Sequence, residues 1–398
     1  MKPIIIIGSG MAGYTVAREF RKLDKSTPMH IITGDDGGFY AKPMLSNAFA
    51  QNKHPAQLIS QTAAQMAEQL NARILPFTRV SRIDGENKTV LTSEGNFDYE
   101  KLVIAVGAQP IRLPIAGNAA SHVISINNVT DYAKLRESIA EIGQKARITI
   151  LGAGLIGCEF ADDLASAGHS VTVIDPNALP LAALAPKPIS TALQSALESR
   201  GVNFKLDTTA TSIDQHPDNT SELTICLSNG EIINANIVLS AVGLRADLRL
   251  AQTSQLETER GILVDTSGQT STENIYALGD CAQYTNPDDG SRPVLPYIAP
   301  IMTAARAIAR TLTGNITQID LKPAPVIIKT PSYPIALIAP PPHSVALGRW
   351  EHEQIGETNI SRFYDASNVM KGFAVAPHES KVRAALLAEL ITQSVEIN

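Results

Sequence analysis

Cysteine is scarce in this chain. Among 398 residues there are three, Cys158, Cys226 and Cys281, and none forms a C-x-x-C or C-x4-C pair. That spacing suggests neither a redox dithiol nor a thiolate metal centre. Positive charge is not in excess either: the net charge of −6 and pI of about 5.8 argue against a nucleic-acid surface. No apolar run approaches the roughly 18 residues of a membrane span, so membrane insertion is not expected. The opening Met-Lys-Pro-Ile-Ile-Ile-Ile is cut by Gly8 and is too short for a signal peptide, which predicts a cytoplasmic protein. The eight histidines, Trp350 and the acidic residues show no ligand-type clustering, and no metal is expected. What remains is 44% hydrophobic and 18% charged, a composition suited to globular domains with sizeable cores. The length predicts two or three of them.

The chain is organised around its start. Ile4-Ile5-Ile6-Ile7 reads as a strand buried on both faces, and Gly8-Ser9-Gly10-Met11-Ala12-Gly13 follows at once, with a helix expected over Tyr14 to Leu23. In such a G-x-G-x-x-G loop the glycines give a tight turn, close approach to a pyrophosphate and close helix–strand packing. The helix N-terminus aims free N–H groups at the phosphates. The pattern returns 144 residues later: Arg147 to Leu151 leads into Gly152-Ala153-Gly154-Leu155-Ile156-Gly157, and Cys158 to Ala167 continues as helix. Two full fingerprints predict two dinucleotides, one a bound cofactor and one a substrate that comes and goes.

The strand Val171 to Ile174 ends at Asp175, 23 residues after Gly152, where an acid binds both ribose hydroxyls. A carboxylate there repels a 2′-phosphate, so NADH is preferred over NADPH. In the first copy, the strand His30 to Thr33 runs into Asp35 and Asp36, which lie slightly late for that task and equally suit a polar turn. Helical pattern covers Pro55 to Leu70, either continuous or broken, and a strand is expected over Ala72 to Val80. Hairpin signals lie between Arg82 and Tyr99. Buried strands end at Gly107 and at Gly243, and the stiff segment from Gln109 to Gly117 marks a crossing between domains. A helix is expected over Asn128 to Ile142 with Thr130 as its cap. Asp280, after Gly279 at a strand's carboxyl end, suits a hydroxyl acceptor facing a ligand, or a turn or helix cap. A further helix runs from about Pro300 to Leu312. Past Gly314 the composition turns to short strands and prolines, with a closing helix over Lys381 to Leu390.

These residues together resemble the two-dinucleotide-binding flavoproteins that include glutathione reductase. Tyr40-Ala41-Lys42-Pro43-Met44-Leu45-Ser46, Gly154 to Phe160, Ile275 to Ala282 and Ile328-Lys329-Thr330-Pro331 look most like the NADH-dependent rubredoxin reductases of alkane-hydroxylating bacteria. The likeness runs from Lys2 to about Pro331 and is loose beyond. It implies an α/β fold of two Rossmann-like domains, glutathione-reductase-like in its layers, plus a small α+β C-terminal domain. FAD would bind residues 1–110 and 240–314, NADH would bind residues 111–239, and residues 315–398 would form the third domain. Gly8, Ser9, Gly10, Met11, Ala12 and Gly13 would hold the FAD pyrophosphate, Thr33 and Gly34 the adenosine edge, and Val80 the adenine surroundings. Gly107 would close the FAD site, and Asp280 would bond the ribityl or pyrophosphate region. Ile298 would lie beside the isoalloxazine, with Lys42, Glu159 and Lys329 near the ring. Lys42 paired with Glu159 would set the nicotinamide position and the flavin potential. NADH would take Gly152, Gly154, Leu155, Ile156, Gly157, Asp175 and Gly243.

One departure separates branches of that family. Disulfide reductases need a cysteine pair near the first helix and peroxide-reducing relatives need one cysteine there, whereas this chain has none before Cys158. With no thiol to receive them, electrons from NADH would leave FAD singly, to rubredoxin as the one-electron carrier and from it to an alkane hydroxylase. Two alternatives stand beside this reading. One is an NADH:ferredoxin reductase of a monooxygenase or dioxygenase system. The other is a redox-sensing flavoprotein that acts by binding.

Overall fold

Ile4–Ile7 has no polar face, and all four side chains are buried, as a strand in the middle of a parallel sheet requires. In the computed structural model, which describes residues 1–395 apart from 144, 218, 288 and 289, this strand lies at the centre of five. Ile275–Ala277, Lys101–Ile104, Ile4–Ile7, Met29–Ile32 and Arg73–Leu75 follow one another across the sheet, every pair parallel. The order reverses at Ile4–Ile7, which places a switch point at the carboxyl end of that strand, where Gly8 begins. The helices Met11–Leu23 and Ile298–Leu312 pack together beside the sheet. This first compact unit comprises Met1–Lys42, Ala56–Gln109 and Leu244–Lys322.

The second unit comprises Pro43–Pro55, Pro110–Gly243 and Pro323–Asn398. Its parallel sheet runs Val202–Lys205, Ser170–Ile174, Arg147–Leu151, Ile237–Ser240, again with the glycine-loop strand inside and the order reversing there. The C-terminal segment adds an antiparallel sheet of five strands, Val326–Ile328, Ile335–Ile338, Met370–Ala376, Thr358–Tyr364 and Arg349–Ile355, with the helix Ser380–Val395 packed on it. Buried residues of the middle segment and of this antiparallel sheet share one apolar cluster that includes Leu197, Ile328, Ile335 and Ala374. The segment expected to stand as a third domain is therefore grouped with the middle one, and Pro43–Pro55 joins them.

Several local expectations are corrected. The strand predicted over Ala72 to Val80 is two, Arg73–Leu75 and Val80–Asp84, because Pro76 and a positive φ of 51° at Phe77 turn the chain between them. The cap of the helix Val129–Ile142 is Asn128, whose side chain accepts from the Asp131 N–H; Thr130 is already helical. The helix read from Pro300 starts at Ile298, since proline within the first turn lacks only an N–H that the helix does not use. The helical stretch over Pro55 to Leu70 is broken, into Pro55–Leu58 and Ala63–Leu70, the second opened by a capping box between Thr62 and Gln65.

Candidate functional site

The two glycine loops have almost the same geometry. Gly8 and Gly152 take φ of 113° and 103°, and a Cβ on either would press into a backbone carbonyl, 2.2 Å from Ala105 O or 2.8 Å from Ala241 O. A Cβ on Gly13 would lie 1.9 Å from Gly8 O, and one on Gly157 the same 1.9 Å from Gly152 O. Gly10 and Gly154, the N-caps, have φ, ψ of −72°, −172° and −74°, −173°, and neither helix has a side-chain cap or an acid in its first turn. A Cβ at either N-cap would meet nothing within 4 Å. Each loop thus leads into a positive helix end whose first turn has no side-chain cap, an arrangement suited to an anion.

An acid is tied to each loop from the end of the next strand. Asp175 is buried; its Oδ2 accepts from the Ala153 N–H at 2.6 Å, and its Oδ1 from Asn177 N and Nδ2, both at 2.8 Å. In the first unit that acid is Asp35, which accepts from Ser9 Oγ at 2.9 Å, Thr33 Oγ1 at 2.6 Å and Gly37 N at 3.0 Å. Thr33 and Ser9 are therefore brought together, 2.9 Å apart, and Gly34 beside them is exposed with open space where a Cβ would be. Val80 starts its strand half-buried.

Around the first loop, Gly279 lies against Ala12, where a Cβ on Gly279 would come 2.9 Å from the Ala12 Cβ. Asp280 follows it in a 3-10 turn held by the Gly279 N–H donating to the Tyr284 phenol oxygen. Burial pushes the Asp280 carboxyl up, and the Lys42 ammonium pulls it back. Met11 and Ile298, from two different helices, line one cavity of about 510 Å³. Ile298 is half exposed. The Ile298 helix also begins without a side-chain cap. Gly107 has φ of 71° and its carbonyl accepts from Asp247 N, whereas the Gly243 carbonyl accepts from Ile111 N.

Glu159 is fully buried in the helix Leu155–Ser166 and is nonetheless fully engaged. Its Oε1 accepts from Lys329 N at 2.8 Å, and its Oε2 from Lys329 Nζ at 2.6 Å and from Ser46 Oγ. Lys329 is thus an ion-pair partner of Glu159, and the charge of Lys42 acts on Asp280. The sequence reading missed Ser46 in this role, and also Asp162 and Asp163, which are buried on the same helix. Their signal was available: acids three and four residues after Glu159 in an otherwise apolar helix. Cys158 and Cys281 are buried, and burial pushes both thiols up, Cys281 to about 12. Among the described residues no group of three or more His, Cys, Asp or Glu is placed to hold a metal ion.

Two pyrophosphate cradles in one chain, each with an acid tied to it and neither with a reactive thiol, define an oxidoreductase built on two dinucleotides. The chain belongs to the pyridine nucleotide-disulphide oxidoreductase family, whose model matches residues 2–310, and residues 318–390 match the rubredoxin binding C-terminal domain. It is 41% identical to the rubredoxin-NAD(+) reductase of Alcanivorax borkumensis over 98% of this chain and 99% of that protein. It is 40% identical to the nitric oxide reductase FlRd-NAD(+) reductase of Aeromonas hydrophila, over 84% and 83%. The fold is shared with putidaredoxin reductase in its covalent complex with putidaredoxin, with a TM-score of 0.86 at 21% identity, covering 96% of this chain and 92% of that one. The dinucleotides are FAD and NADH, and the residues present fit both: the open N-caps at Gly10 and Gly154 are spaces that a Cβ would fill.

Proposed function

We propose that this chain is an NADH:rubredoxin reductase of the cytoplasm that supplies an alkane hydroxylase. The observation that carries the rubredoxin assignment is the match of residues 318–390 to a rubredoxin binding domain, downstream of two dinucleotide loops. FAD, when bound, would supply the chemistry, a conversion between the electron pair of NADH and single-electron transfer. The chain's own residues bind, orient and tune. Gly8 to Gly13 with Thr33, Gly34, Val80, Gly107 and Asp280 would hold FAD. Gly152, Gly154, Leu155, Ile156, Gly157, Asp175 and Gly243 would hold NADH, with Asp175 disfavouring a 2′-phosphate. The buried charge of Glu159 with Lys329, near the ring together with Lys42 and Ile298, would set the environment of the reacting edge. The buried, high-pKa thiols support an external one-electron acceptor, since neither offers a thiolate near neutral pH.

Two outcomes compete with rubredoxin as the acceptor. The 40% identity to a nitric oxide reductase FlRd-NAD(+) reductase favours a partner of that system as the second reading. A ferredoxin is the other. Purified chain with FAD and NADH should turn over oxidised rubredoxin at least about tenfold faster than ferredoxin or oxygen, a gap of about 1.4 kcal/mol in transition-state binding. Comparable turnover with ferredoxin would overturn the assignment. The alkane hydroxylase link is tested by adding that enzyme and rubredoxin and following NADH-dependent alkane hydroxylation.

A further inference from the structure

Three buried carboxylates on the helix Leu155–Ser166, Glu159, Asp162 and Asp163, share one side of it by their i, i+3, i+4 spacing. Two segments from distant parts of the chain lie along that side in step with it. Lys329 bonds Glu159 and Ser332 bonds Asp162, an offset of 170 residues in both cases. Ser46 bonds Glu159 and Ala50 bonds Asp163, an offset of 113 in both. The contacts are specific. Asp162 accepts from Ser332 N at 2.8 Å and Ser332 Oγ at 2.6 Å, and Asp163 from Phe49 N at 2.8 Å and Ala50 N at 2.9 Å. The two segments also hold each other: Asn47 Nδ2 donates to Lys329 O at 2.8 Å.

We propose that Asp162 and Asp163 are positioning residues for the reaction, keeping these two segments in register with the helix so that the Lys329 ammonium and the Ser46 hydroxyl meet on Glu159. A carboxylate that accepts two donors from one short segment fixes both its distance and its rotation, which one neutral bond does not. A shift of one residue in either segment would replace Lys329 or Ser46 at Glu159 and leave a buried charge without its partners. The consequence for turnover rests on the reading that Glu159 and Lys329 act beside the flavin.

The test uses the FAD-loaded protein with Asp162→Ala, the milder Asp162→Asn, and Lys329→Met. Hydrogen exchange at the Lys329 amide should rise about tenfold in Asp162→Ala and less in Asp162→Asn. The amides of Arg147–Leu151 should keep their wild-type exchange, which separates lost register from global loosening. Asp163→Ala should act likewise at Phe49 and Ala50. Flavin reduction by NADH should slow about threefold to thirtyfold in Asp162→Ala with NADH affinity kept, and no further in the Lys329→Met background. Unchanged exchange at Lys329, or an equal further slowing in that background, overturns the proposal. So does faster exchange with unslowed reduction where Lys329→Met itself slows it. If Lys329→Met reduces at wild-type speed, the reading of Lys329 beside the flavin fails, and the exchange result still decides the registration.

Discussion

At Asp163 burial opposes the charge that its hydrogen bonds favour, and burial wins. Loss of solvent, with the neighbouring charges of Asp162 and Glu159, raises its carboxyl from 3.8 to about 6 against the two amides of Phe49 and Ala50. The native state therefore binds this proton more tightly than the unfolded chain does. Its contribution to stability is complete below about pH 4 and is lost as pH rises through about 6. A shift of this size is worth about 2–3 kcal/mol. Denaturant unfolding at pH 4.5 and 7 should show wild-type stability falling relative to Asp163→Asn, which has no proton to lose there. A constant difference between the two proteins would contradict the assignment. Burial, helped by the Asp163 charge, pushes the Tyr132 phenol above its ordinary range, so it stays out of this window.

At the scale of elements, the loops can be broken one at a time. Gly13→Ala and Gly157→Ala place the same atom 1.9 Å from a carbonyl oxygen, so each must displace its helix from its strand. Gly13→Ala should purify with little FAD absorbance. Gly157→Ala should keep its FAD and raise the KM for NADH by about tenfold or more, because the distortion stays in its own unit. Both loops were legible in the sequence because their task fixes residue type at fixed spacing: only glycine tolerates the positive φ of Gly8 or the closeness at Gly13. Asp175 was legible by its distance from Gly152. The partners of Glu159 were not, because Ser46 and Lys329 reach it across 113 and 170 residues and neither residue type announces a buried bond. Asp35 stayed ambiguous for a related reason. What distinguishes it from a turn residue is the Ser9 hydroxyl, 26 positions away. The strand Arg349–Ile355 went unplaced, as its mostly exposed polar residues carry no alternating pattern.

For the molecule as a whole, the three cysteines have a shared consequence. Two are buried with raised pKa and the third, Cys226, is half-buried in a strand of the second unit. A thiol reagent at neutral pH should react at one site at most, Cys226, and leave NADH-dependent turnover within about 20% of untreated protein. Loss of turnover in step with labelling would show a working thiol and return the chain to disulphide chemistry. No helix among the described residues is long and apolar enough to cross a membrane.

The edge strand Ile275–Ala277 bonds to Lys101–Ile104 from the far side of the whole middle segment. On the ribosome, four strands of the first sheet are therefore made long before the fifth, with a wait of roughly ten to thirty seconds at ordinary synthesis speed. The helix Ile298–Leu312, which packs on the helix of the first loop, comes later still. Flavin retention should therefore be a late event in the life of each chain. Nascent chains stalled before Leu312 should bind FAD weakly even though the whole first loop has already emerged.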